Sequence, residues 1–257
     1  RTVRQSIEKI APALSRVLIS GPSGSGKELA ARAIHNQSNR SSERFVVANC
    51  ARLASERVDA ELFGAESLQS HRRVVGLFEQ AHRGTLYFDE ICDLPMETQG
   101  KIVRAVNEQR FRRVGGSAEV VVDVRVISAS SRDLSREITD GRLREDLYYR
   151  LGVVPLLMPS LADRREDIPI LAKYFTNRIA KRLGIKPIKL SDEIFAAMEG
   201  YDWPGNVRQI YNVIETLLIL APSDRTQPVG LDLLPAEIQN ISRQTRNSGR
   251  EQMMSFP

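Results

Sequence analysis

Apolar positions in this chain follow two regimes. Up to about residue 165, short runs rich in Val, Ile, Leu and Phe alternate with stretches of helical spacing. Five such runs, at 16–19, 45–48, 85–88, 120–128 and 153–157, have the length and β-branched content of buried strands. After residue 28, Leu29, Ala30, Ala33 and Ile34 recur as one face of a helix. Alternating strands and helices predict an α/β fold with a five-stranded parallel sheet between helices. Beyond that point the strand signal stops. Residues 168–182, 191–198 and 206–220 read as three helices, with Ser191 and Asn206 as N-caps of the last two. They predict a small all-α domain. The expected division is an α/β domain at 1–165, a helical domain at 166–240 and a polar, flexible linker at 241–257.

Composition narrows the class. The chain has 257 residues, 42% of them hydrophobic, as expected for one large or two modest globular domains. No run approaches the ~18–20 apolar residues of a membrane span. The N-terminus, RTVRQSIEKI, is charged and lacks the apolar region of a signal peptide. It also lacks an initiator Met, which suggests an excised domain. Two cysteines, Cys50 and Cys92, are too few for a disulfide framework and suggest a reducing, cytoplasmic setting. His35, His71 and His82 have no metal-ligand spacing. The net charge of +5 suits nucleic acid or nucleotide partners without singling out either.

Two segments carry chemistry. Gly21-Pro22-Ser23-Gly24-Ser25-Gly26-Lys27 has the spacing of a phosphate-binding loop, G-x-x-x-x-G-K, lying between a predicted strand and a predicted helix. Its glycines let successive N–H groups turn inward around an anion, and Lys27 would reach the β- and γ-phosphates. The usual Ser or Thr after the lysine is replaced by Glu28. The alternative is a Gly/Ser turn between two elements. The second segment, TLYFDE at 85–90, is an apolar strand ending in two carboxylates at the sheet edge where ligands bind in such folds. Asp89 suits Mg²⁺, and Glu90 suits a base or water-positioning group for attack on a γ-phosphate. The alternative is an acidic helix start.

With these motifs stand RFVVANC, AELFG, GLFEQAHRGTLYFDEICDLP, QRFRRVGG, VDVRVISASSRDL, GRLREDLYYRL, LADRREDIPILA and YDWPGNVRQI. Their order resembles the AAA+ ATPase domain of bacterial enhancer-binding transcription regulators, the sigma-54 activator family. Within that family the chain most resembles NtrX-type response regulators. Family members also carry Glu after the loop lysine. The resemblance implies ATP and Mg²⁺ as cofactors. The nucleotide would lie against Gly21–Leu29, Asp89, Ser131 and Arg208, with Asp89 holding the metal and Glu90 catalytic. Asn49 matches the family's glutamate-switch asparagine, which holds the catalytic glutamate off until the site is engaged. Arg144 and Arg150 match paired arginine fingers that act on a neighbouring subunit's phosphate. Arg208 matches the second sensor, on the lid. Read without the resemblance, Arg144, Arg150 and Arg208 are surface arginines, Asn49 is a polar strand end and Trp203 is lid core.

Two departures stand out. The family's first sensor ends in Thr-Asn, where this chain has Ser130 and Ser131. Between Gly64 and Gly76 the family carries a Gly-Ala-Phe-Thr-Gly-Ala loop that grips sigma-54. Here the interval is AESLQSHRRVV, shorter and without glycine, Phe or Thr. The expectation is the ATPase module of an NtrX-like two-component regulator that does not activate sigma-54. Its partners would be copies of itself in a hexameric or heptameric ring, or a dimer when inactive. Others would be a receiver domain and sensor kinase, DNA through a separate C-terminal domain, and RNA polymerase, with no membrane role. Two alternatives remain: a nucleotide-dependent oligomerisation scaffold with little ATPase activity, and a true sigma-54 remodelling ATPase with a divergent loop.

Overall fold

The computed structural model describes residues 2–66, 73–222, 224–225 and 227–240. The chain forms two compact units. The first spans Arg1–Pro22 and Gly26–Met158; the second takes in Ser23–Ser25 and the described residues from Pro159 on.

The strands of the first unit are β1 Val17–Ser20, β2 Phe45–Asn49, β3 Ala65–Glu66, β4 Arg73–Val74, β5 Thr85–Asp89, β6 Arg110–Arg112, β7 Glu119–Val121, β8 Arg125–Ser130 and β9 Val154–Leu157. Its helices are α1 Thr2–Ile10, α2 Lys27–Asn36, α3 Val58–Phe63, α4 Leu77–Gln80, α5 Met96–Glu108, α6 Leu134–Thr139 and α7 Glu145–Leu151. Five strands form one sheet in the order β2-β5-β8-β1-β9, every pair parallel. The fold is therefore the expected α/β one. Alternate side chains of β5 explain its continuous apolar run. Leu86 and Phe88 enter a core with Leu62, Phe78, Ile102 and Leu147, while Tyr87 enters the opposite core with Ile19, Ala30 and Ile34.

The expected single strand at 120–128 is corrected. Its first residues pair with β6 in a separate antiparallel hairpin, and only Arg125–Ser130 joins the sheet. The break falls where Gln109 accepts from Val124 N–H at 2.8 Å through its side chain and Val122 N–H bonds its carbonyl at 2.8 Å. Arg125, 2% exposed, caps α1 through Ala11 O (2.9 Å) and Ile10 O (3.0 Å).

In the second unit, α8 Ile168–Leu183, α9 Asp192–Gly200 and α10 Asn206–Leu220 pack around a fully buried Trp203, whose indole N–H donates to Met198 O at 2.7 Å. Ser191 caps α9 by accepting from Ile194 N–H. Asn206 does not cap α10. Gly205 holds that position, and Asn206 is a buried residue at φ 50°. Among the described residues, no helix is long and apolar enough to cross a membrane.

A candidate nucleotide-binding site

Because the sheet is parallel, the C-terminal ends of its strands share one edge. That edge carries the loop after β1, Asn49 at the end of β2, Asp89 at the end of β5 with Glu90 after it, and Ser130 at the end of β8 with Ser131 after it. This is the rim where ligands bind in open α/β sheets.

The loop has the conformation its glycines permit. Gly24 sits at φ 74° and Gly26 at φ 102°, both in left-handed space. A Cβ on Gly24 would stand 2.4 Å from Gly205 O. The N–H groups of Gly24, Ser25 and Gly26 have no acceptor among the described residues. The Ser25 hydroxyl is buried and also unpartnered. A row of unbonded donors beside an orphaned hydroxyl fits an anion with several oxygens.

Lys27 opens α2 and is 6% exposed. Its Nζ donates to Gly21 O at 3.0 Å and Pro22 O at 3.4 Å, and lies 3.3 Å from Glu90 Oε1. The other oxygen of Glu90 accepts from Ser131 N–H at 2.8 Å and Ser131 Oγ–H at 2.9 Å. Glu90 adopts φ 56°, a left-handed conformation that is uncommon for a residue with a side chain. Sequence reasoning had no signal for that strain. Lys27, Glu90 and Ser131 thus form one cluster.

Asn49 lies opposite Asp89 in the β2–β5 register, but it is not among Glu90's hydrogen-bond partners in the described residues. Asp89 accepts from the Tyr87 hydroxyl at 2.9 Å. Burial first, and the adjacent Asp89 carboxylate second, push the Tyr87 phenol well above its ordinary value, so it stays a donor. Burial likewise pushes the Cys50 and Cys92 thiols up, so neither is a thiolate nucleophile.

Other expected site residues lie apart from this cluster. Glu28 pairs with Arg32 at 2.7 Å, and Leu29 is 70% exposed. Arg144 precedes α7 and makes a bidentate pair with Asp146 at 2.9 and 2.8 Å. Arg150 lies in the last turn of the same helix, shortly before β9 begins, and so lies towards the sheet edge opposite the loop.

The second unit has a local set of its own around Ser23–Ser25. Arg208 Nη1 donates to Ser23 Oγ at 3.3 Å. Asn206 Nδ2 donates to Ser23 O at 3.0 Å, Val207 N–H to Gly24 O at 3.0 Å, and Arg164 Nη2 to Ser25 O at 2.8 Å. Sequence reasoning missed Arg164 and Asn206. Arg164 sits in a run of charged residues that reads as solvated surface, and Asn206 sits where an N-cap is expected.

Ala65–Glu66 and Arg73–Val74 pair antiparallel as the base of a hairpin, while residues 67–72 of the expected loop lie outside the described residues. The base is tied down by ions. Arg113, 7% exposed, forks onto Glu79 at 2.8 and 2.7 Å. Arg73 reaches Glu79 at 2.8 Å, and Glu66 lies 3.6 Å from Arg113. Burial raises the Glu79 carboxyl, but the hydrogen bonds from Arg113 and Arg73 outweigh it and hold it below the usual range.

The sigma-54 interaction domain family matches residues 1–157, and the AAA+ ATPase lid domain family matches 162–251. The nitrogen assimilation regulatory protein NtrX of Azorhizobium caulinodans is 46% identical over 256 residues, covering 99% of this chain and 56% of that protein. The response regulator PilR of Pseudomonas aeruginosa is 43% identical over 239 residues, covering 92% and 54%. The chain therefore spans about half the length of these relatives. The crystal structure of NtrX from Brucella abortus in complex with ATP matches with TM-score 0.88 at 49% identity, covering 93% of this chain and 53% of that one. The same protein in complex with ADP matches with TM-score 0.87. Fold, motifs and relatives agree that this chain belongs to the sigma-54 interaction domain family of AAA+ proteins, and that it is similar to the NtrX-type response regulators within it.

Proposed function

We propose that this chain is the ATP-binding and ATP-hydrolysing module of an NtrX-like response regulator that controls transcription. The observation that carries this reading is the cluster of Lys27, Glu90 and Ser131, in which Lys27 directly follows in sequence the loop whose Gly24, Ser25 and Gly26 N–H groups are unbonded among the described residues. The N–H groups and Lys27 would hold the phosphates. Mg²⁺ bound with ATP would supply positive charge against the phosphate oxygens, and Asp89 would offer it a carboxylate. Glu90 would hold and deprotonate the attacking water. The binding of ATP and ADP by the related NtrX of Brucella abortus supports the nucleotide assignment.

A second reading has a specific observation behind it. Both oxygens of Glu90 are engaged, one by Lys27 and the other by Ser131. These contacts compete with a water for the carboxylate, and a chain that rarely releases Glu90 would bind ATP and assemble with little turnover.

One experiment separates these readings. ATP affinity and turnover are measured for the wild type, Lys27→Ala and Glu90→Gln. Lys27→Ala is expected to weaken ATP binding by about 1.5–3 kcal/mol, the worth of a charge-assisted contact. Glu90→Gln should keep the affinity and lose turnover. Equal ATP affinity in wild type and Lys27→Ala would remove the phosphate-loop assignment. Wild-type turnover in Glu90→Gln would remove the catalytic role. Negligible turnover in a wild type that binds ATP would establish the scaffold reading.

A further inference from the structure

We propose that Arg164 and Asn206 are positioning residues that set the phosphate loop in its binding geometry by holding its carbonyl groups from outside; the proposal rests on the phosphate-binding reading of the loop. Ser23, Gly24 and Ser25 group with the second unit, while the residues on either side of them belong to the first. The reason is visible in three consecutive carbonyls. Ser23 O accepts a hydrogen bond from Asn206 Nδ2 at 3.0 Å, Gly24 O from Val207 N–H at 3.0 Å, and Ser25 O from Arg164 Nη2 at 2.8 Å.

A trans peptide aims its C=O and its N–H in opposite directions. Fixing the carbonyls of Ser23, Gly24 and Ser25 therefore turns the N–H groups of Gly24, Ser25 and Gly26 the other way. These are the amides that have no acceptor among the described residues. The donors that face the phosphates are aimed by bonds on the far side of the same peptides.

Each clamp is itself braced. Asn206 is 2% exposed, and its Oδ1 accepts from Leu161 N–H at 2.7 Å, which fixes the orientation of its amide. Its φ of 50° costs backbone energy that a helix-capping role would not require. Arg164 has non-helical angles, φ −143° and ψ 51°, inside an otherwise helical stretch, and that kink accompanies its reach to Ser25 O. Its Nε is buried without a partner, as is the hydroxyl of Ser25 beside it. Charge enters as well. A guanidinium bonded to Ser25 O polarises the peptide whose N–H belongs to Gly26, strengthening that donor toward an anion.

The test uses inorganic tripolyphosphate, ATP and adenosine as separate probes on the full chain. Arg164→Met is expected to lower affinity for tripolyphosphate and ATP by about tenfold, the loss of one charge-assisted bond, with adenosine affinity unchanged. Arg164→Lys keeps a charged donor and should recover most of the loss. A methionine variant that melts as the wild type does and binds tripolyphosphate equally well overturns the clamp. So does a folded lysine variant no better than the methionine one. Lys27→Ala, run alongside, separates the two levels. Undiminished tripolyphosphate affinity in Lys27→Ala removes the phosphate loop itself; loss there without loss in Arg164→Met removes only the clamp. If Arg164→Met does not keep the wild-type melting transition, magnetic resonance on the wild type decides. The Arg164 guanidinium protons should be protected from exchange with water, and the Gly24, Ser25 and Gly26 amide signals should move on adding tripolyphosphate. Rapid guanidinium exchange, or unmoved amides, overturns the proposal.

Discussion

His35 shows how far a single side chain can govern stability away from the chemistry. It is buried on α2, its Nδ1 lies 2.9 Å from Thr85 Oγ1, and its ring meets Phe45 edge-on. Burial is the first cause holding its pKa below the ordinary value; a backbone hydrogen bond at Glu43 opposes this, and Arg125 and Arg32 add to the lowering. The folded value thus lies below the unfolded value of about 6.5, so the unfolded chain takes up the proton first. The stability from neutral His35 is complete above that unfolded value and is lost as pH falls from it towards the folded value. We expect the melting temperature to drop between pH 7.5 and 5.5, and the drop to shrink in His35→Gln. An identical drop in the variant would assign the effect elsewhere. At the same scale, the motif residues Lys27, Asp89 and Glu90 were legible because their types and spacing follow from phosphate chemistry. The engagement of Glu90 by Ser131 was not, because it depends on a left-handed backbone at Glu90 that no sequence pattern marks.

Among the elements, periodicity predicted type better than pairing. The runs at 45–48 and 85–88 became β2 and β5 because both faces of those strands are covered, which leaves an unbroken apolar signal. The run at 120–128 was read as one strand because Val120, Val121 and Val122 look alike, yet Asp123 and the Gln109 contacts divide it between a hairpin and the sheet. Asn206 was read as a cap for a similar reason. Local preference was right for the residue type, while the distant Ser23 and Leu161 claimed its side chain. The loop after β8 was equally hidden. There Glu137 on α6, 5% exposed, accepts from Arg142 at 3.0 and 2.7 Å and from Arg132 at 3.2 Å. Arg132 also reaches Asp93, so the segments following β5 and β8 are braced together. Hydrogen bonds from Arg142 lead in holding the Glu137 carboxyl down to about 2. Its contribution is present above the ordinary carboxylate value and is lost as pH falls from there towards 2. Glu137→Gln should destabilise the chain by about 1.5–3 kcal/mol near neutral pH, the range for hydrogen bonds to a charged group. Denaturant melts at pH 7 and pH 3 check this: the gap between variant and wild type should narrow at the lower pH, and a constant gap would mean that packing rather than charge is responsible.

On the scale of the whole molecule, the outstanding questions concern other copies of the chain and the transcription machinery. Arg144 precedes α7 and Arg150 lies in its last turn, towards the sheet edge opposite the loop after β1, an arrangement suited to action on a neighbour. If they act in trans, ATPase activity per subunit rises with protein concentration. Mixtures of Arg150→Ala with Lys27→Ala should then recover activity that neither has alone, because an arginine finger is worth about 10³–10⁵ in rate. No recovery in confirmed mixed assemblies would argue against Arg150 acting on a neighbouring subunit. The last expectation concerns sigma-54. The hairpin that would carry the family's grip keeps its base, with Glu66 and Arg73 tied through Glu79 to Arg113. The interval between Gly64 and Gly76 nevertheless lacks the aromatic and hydroxyl pair, and it carries His71, Arg72 and Arg73 instead. Burying such charges against a protein partner costs free energy unless each is paired, whereas small and apolar groups lose little on leaving water. The full regulator is expected not to drive open-complex formation by sigma-54 polymerase, while its ATP binding remains intact. Replacing the residues between Gly64 and Gly76 with the family's loop should be required before any such activity appears, since the ion-braced base is already in place. Transcription in vitro from an enhancer-bound promoter decides the matter: ATP-dependent activation by the unaltered regulator would show that this short, basic interval can itself grip sigma-54.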